Sequence, residues 1–137
     1  MKRHLKFKLL VLCMVFSLAG TGQAMKVYWG EQGPGVIQRA NLDGSVVREV
    51  IDTGQANWVG RIALDLVNDR LYWSSEALGT IFRTDLDGGN VEEIISTGLM
   101  LPNKITLDVP GGKMYWTDLA PTKFSGPISM GQTSKIW

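Results

Sequence analysis

The sequence predicts an all-β fold built from repeated sheets of four short antiparallel strands, and three observations predict it. The dipeptide Tyr-Trp occurs at Tyr28-Trp29, Tyr72-Trp73 and Tyr115-Trp116, spaced by 44 and 43 residues, and a period of that length belongs to stacked repeat architectures. Nine residues after the first two tyrosines the chain reads Ile37-Gln38-Arg39-Ala40-Asn41-Leu42-Asp43-Gly44 and then Ile81-Phe82-Arg83-Thr84-Asp85-Leu86-Asp87-Gly88. A third block, Ile62-Ala63-Leu64-Asp65, is answered by Ile105-Thr106-Leu107-Asp108, each shortly before the next Tyr-Trp. Four apolar runs separated by turn residues make up each unit, and four antiparallel strands per repeat form one blade of a propeller.

Residues 1–24 precede the repeats and have a different character. Lys2, Arg3, Lys6 and Lys8 stand ahead of a mostly apolar run from Leu9 to Leu18, and Gly22 and Ala24 supply small side chains. A basic head, a short apolar stretch and a small-x-small exit predict a signal peptide cleaved after Ala24, too short to span a bilayer. The expected location is secreted or periplasmic. His4 and Cys13 are the only histidine and cysteine and both lie in this segment, so the mature chain has no disulfide framework. Leu12 stands before Cys13 where a lipoprotein signal wants a small residue, which argues against lipid attachment. A net charge of +1, with no basic run after the N-terminus, predicts no nucleic-acid partner.

Residues 25–119 hold the repeats, at 26–69, 70–112 and a partial 113–119. In the second unit the strands are expected at Arg70 to Ser74, Thr80 to Leu86, Val91 to Ile95 and Lys104 to Leu107. Asp43-Gly44 and Asp87-Gly88 mark tight hairpins, because glycine reaches positive φ cheaply and the aspartate oxygen can accept from the turn amides.

These motifs together resemble the low-density lipoprotein receptor class B, or YWTD, repeat, whose pattern runs Tyr-Trp-Thr-Asp, Ile-x-Arg-Ala-x-Leu-Asp-Gly, Gly-Leu-x-x-Pro and Ile-Ala-Leu-Asp. The resemblance covers residues 26 to about 118 and implies a six-bladed propeller, of which this chain would hold about two and a half blades. Only Tyr115-Trp116-Thr117-Asp118 keeps the full tetrapeptide; the others read Tyr28-Trp29-Gly30-Glu31 and Tyr72-Trp73-Ser74-Ser75. In the family that aspartate ties neighbouring blades, so the resemblance implies looser joints at the first two copies, with Glu31 a partial substitute. The cysteine-rich modules that flank such propellers in receptors are missing, so a bacterial secreted member fits better than a receptor.

Residues 120–137 break the pattern. Phe124 and Met130 stand nine and fifteen residues after Tyr115, the offsets that Ile37 and Asp43 hold from Tyr28 and Ile81 and Asp87 from Tyr72. Back-translated and read with the frame moved by one base, residues 124–131 can encode Ile-Gln-Arg-Ala-Asn-Leu-Asp-Gly. The tail is therefore expected to be a frameshifted, non-native end to a truncated product, with no strand of its own.

Candidate chemistry is sparse. Without His or Cys, the mature chain lacks the usual general bases, thiol nucleophiles and transition-metal ligands. Asp43, Asp65, Asp87 and Asp108 recur at blade spacing and could ring a calcium ion, but turn positions make them structural, and no cofactor is expected. Arg39 and Arg83 read as framework residues pairing with those acids. Tyr28, Trp29, Tyr72, Trp73, Tyr115 and Trp116, once per blade, read as core, together with Gly44, Gly88 and Asp118 as framework. Trp58, in a connection with no counterpart, and Phe82, at a variable strand position, are the binding candidates.

The function expected is a non-catalytic module that binds a protein or glycan outside the cytoplasm. One alternative is a piece of a propeller lactonase or lyase whose active-site groups lie in other blades; another is a non-functional product. Open strand edges further predict self-association.

Overall fold

The computed structural model describes residues 25–31, 33–54, 59–119 and 134–135. The described residues form ten strands and no helix: β1 Lys26–Glu31, β2 Val36–Asn41, β3 Arg48–Asp52, β4 Val59–Asp65, β5 Arg70–Ser75, β6 Thr80–Asp85, β7 Glu92–Ile95, β8 Pro102–Asp108, β9 Lys113–Asp118 and β10 Ser134–Lys135. They pair in chain order into three antiparallel sheets, β1-β2-β3, β4-β5-β6-β7 and β8-β9-β10.

The sheets begin one strand earlier than the repeats. The second and third Tyr-Trp strands pair backwards with the Ile-x-Leu-Asp strand before them, Ile62 opposite Trp73 and Ile105 opposite Trp116. Lys104 to Leu107, expected to complete the second sheet, therefore lies in the third. A repeat period determines spacing but not phase; the short turns Leu66 to Asp69 and Val109 to Gly112 decide which strands are neighbours. Beyond Leu119, where no strand was expected, Ser134 and Lys135 pair with Met114 and Lys113. Such pairing needs only backbone, since the edge of β9 offers its amides and carbonyls to any extended segment.

Successive sheets pack face to face through two apolar seams. Tyr28, Ile37 and Val50 of the first sheet meet Val59, Ile62, Leu71 and Trp73 of the second. On its other side the second sheet places Ala63, Tyr72 and Ile81 against Ile105, Met114 and Trp116 of the third. Neighbouring residues on a strand point to opposite faces, so in β5 Trp73 serves one seam and Tyr72 the other. This is why the two aromatics recur as adjacent residues.

The third position of the tetrapeptide serves a β-bulge. The β4–β5 register shifts between Val59 and Ile62, and the β8–β9 register between Pro102 and Ile105, which takes backbone amides out of the ladder. Ser74 Oγ accepts from the Arg61 amide at 3.1 Å and Thr117 Oγ1 from the Lys104 amide at 3.1 Å. Ser74 also donates to the Asn103 carbonyl at 2.6 Å, joining the bulges of adjacent sheets. Gly30 departs from the pattern for a steric reason: a Cβ there would lie 2.6 Å from Val59 Cγ1.

Candidate functional site

The repeat aspartates are committed to turns. Asp65 Oδ1 accepts from the amides of Val67 and Asn68, each at 3.0 Å, and Oδ2 from Asn68 Nδ2 at 2.7 Å. Asp108 accepts from the Gly111 amide, Asp43 from Ser45 and Asp87 from Gly89, at 3.0, 2.9 and 3.0 Å. Hydrogen bonding by Ser45 holds the Asp43 carboxyl below its ordinary value. Asp118 accepts from the Met100 and Leu101 amides at 2.9 and 2.8 Å, clamping the connection that leads into β8. Among the described residues no group of three or more His, Cys, Asp or Glu side chains is placed to hold a metal ion.

The sequence predicts that the framework arginines pair with those aspartates, and they pair elsewhere. Arg39 Nη1 donates across the first seam to the Leu86 carbonyl at 3.1 Å. Arg83 pairs with Glu92 on the adjacent strand, with Nε 3.1 Å from Oε2. The reason is register: Arg83 lies directly opposite Glu92, whereas Asp87 is turned into its own hairpin. The Arg83 hydrogen bond holds the Glu92 carboxyl below its ordinary value. Burial lowers the Arg83 pKa, but hydrogen bonds with Glu92 and Tyr72 outweigh it and leave the net shift upward.

Of the two binding candidates, Trp58 lies outside the described residues. Phe82 is half-buried and stacks on Trp73, centroids 5.1 Å apart and planes 13° from parallel, at the edge of the first seam. Tyr115, at 38%, is exposed.

The first sheet leaves partly exposed what its repeat counterparts bury. Trp73 and Trp116 are buried, as are Leu71 and Met114 two residues before them. Their counterparts Trp29 and Val27 are only half-buried. Leu42 is 45% exposed, whereas its counterpart Leu86 packs into the first seam. On the opposite face of the same sheet a cleft of about 230 Å³ is lined by Lys26, Arg39, Asn41, Arg48, Ala40 and Val46. Sequence reasoning missed this cleft, although Asn41 against Asp85 was visible in the aligned repeats.

The chain matches no protein-family model, and no curated protein matches it. Among solved structures it is similar to a chain in a crystal structure of a nidogen/laminin complex, at 30% identity and a TM-score of 0.65. The likeness covers 69% of this chain and 36% of that one, so this chain spans about a third of the length of its structural relative. The described residues between 25 and 119 have the fold of YWTD propeller blades.

Proposed function

We propose that the chain is a non-catalytic, protein-binding piece of a YWTD-type propeller that works outside the cytoplasm. One observation carries the reading: the repeat carboxylates are spent on backbone amides, while the uncovered side chains of the first sheet, Trp29, Val27 and Leu42, are binding groups and not reacting ones. Aromatic and aliphatic side chains in one patch are the usual anchors of protein interfaces. The structural relative was solved in a complex with laminin, which supports a protein as the partner class. Residues 1–24 act in this reading as the export signal.

A second reading concerns self-association. Within the chain, each seam joins a face carrying Trp, Leu or Met to a face carrying Tyr and Ile. Trp29 and Val27 present the first kind uncovered, and Tyr115 with Thr106 presents the second. A copy stacked head to tail would cover both, and the resulting contact is heterologous.

Immobilised laminin, with the full chain and its Trp29→Asp variant as analytes in surface plasmon resonance, tests the proposal. Saturable binding weakened about tenfold or more by the substitution is expected for a hot-spot aromatic. Absence of binding, or binding indifferent to Trp29, contradicts it. Light scattering of the same samples separates the second reading, since only head-to-tail stacking raises the mass in a Trp29-dependent way.

A further inference from the structure

The residues that line the cleft have counterparts on the second sheet whose charges are balanced. There, register sets Arg70 opposite Asp85 and Arg83 opposite Glu92, and both pairs close as ion pairs. At the same cross-strand positions the first sheet places Lys26 opposite Asn41 and Arg39 opposite Arg48. Both acids are replaced, one by an amide and one by a cation. Lys26, Arg39 and Arg48 therefore line one cleft with no carboxylate among its lining residues. Glu49 does not compensate, because it pairs with Gln38 and points to the other face.

Like charges set directly opposite each other destabilise a sheet unless an anion lies between them. The second sheet shows what such an anion looks like, since the Glu92 carboxylate is held by Arg83 Nε and Nη2 from the adjacent strand. Arg39 is held in place by its bond to the Leu86 carbonyl, which leaves its other donors for a ligand and lowers the ordering cost of binding one. We infer that the cleft formed by Lys26, Arg39, Asn41 and Arg48 is a carboxylate-binding site that takes an Asp or Glu side chain from an acidic segment of a partner protein. This rests on the protein-binding reading above and names the chemistry of the partner.

The test uses a fluorescein-labelled Glu-rich peptide, its Gln-for-Glu counterpart and a heparin oligosaccharide, each titrated with the full chain and followed by anisotropy. The acidic peptide binds, the Gln peptide does not, and salt at about 0.5 M removes the signal. The double variant Asn41→Asp, Arg48→Glu copies the ion pairs of the second sheet, so it keeps its fold and loses affinity by about tenfold or more. Conversely, Asp85→Asn with Glu92→Arg copies both replacements into the second sheet and creates a second site, seen as a doubled stoichiometry; an unchanged stoichiometry counts against the inference. Heparin binding without peptide binding, or a double variant that binds the peptide like the parent, overturns the inference. A parent chain that binds laminin but not the acidic peptide would overturn this site alone and leave the broader reading standing.

Discussion

Ser74→Ala removes a side chain that connects the bulges of two sheets. Ser74 is fully buried, so water cannot take its place, and the change leaves two backbone groups without their partner. One is the Arg61 amide at 3.1 Å and the other the Asn103 carbonyl at 2.6 Å. Each orphaned group costs about 1–3 kcal/mol; Arg61 belongs to an exposed residue and lies at the low end, which puts the sum at about 2–4 kcal/mol. Thr117→Ala is the internal comparison. It removes a single bond, to the Lys104 amide, from a half-buried side chain and should cost about 0.5–1.5 kcal/mol. Urea unfolding of the full chain, followed by tryptophan emission, reads both values provided that the slopes agree. Equal costs for the two variants, or a Ser74→Ala cost below about 0.5 kcal/mol, would refute the account of the third tetrapeptide position.

Two further changes probe the turns and the charges. Gly88→Ala and Gly44→Ala both introduce a side chain at positive φ, +97° and +82°, but only at Gly88 would the new Cβ overlap the Val50 carbonyl across the seam. Denaturation should show about 1 kcal/mol lost at Gly44 and at least about twice that at Gly88; equal losses would mean that the hairpin does not press on β3. Because the Glu92 carboxyl lies below its ordinary value in the folded chain, it contributes stability above the ordinary carboxylate range and loses it as pH falls through the depressed value. Thermal midpoints of the parent and Glu92→Gln should therefore differ near neutrality and converge in acid, and a constant offset would show that the pair with Arg83 is not the cause.

The period of Tyr-Trp and the paired blocks were enough to read the strands, because alternation and turn chemistry are local properties. Strand limits such as Thr80–Asp85 came within a residue of expectation. Phase was not legible, since it depends on which of two flanking strands a Tyr-Trp strand chooses. Nor were the partners of Arg39 and Arg83. One reaches 47 residues along the chain to a carbonyl, and a carbonyl acceptor leaves no mark in side-chain identity. The third tetrapeptide position was read as a departure from a pattern at Gly30 and Ser74, but its meaning came from the bulge amides and from Val59. The cleft was half legible. Asn41 for Asp85 stands inside the aligned block, whereas Arg48 for Glu92 stands outside it, and only the register sets each opposite a cation.

The central claim is that the tryptophans of the second and third sheets are consumed in seams while the first sheet keeps its tryptophan available. Single-tryptophan chains, each retaining Trp29, Trp73 or Trp116 with the remaining tryptophans changed to Phe, test it by acrylamide quenching. Trp73 and Trp116 are 2% and 5% exposed and Trp29 is half-buried, so Trp29 should be quenched several-fold more readily and emit at longer wavelength. Equal quenching of all three, or protection of Trp29 alone, would contradict the account.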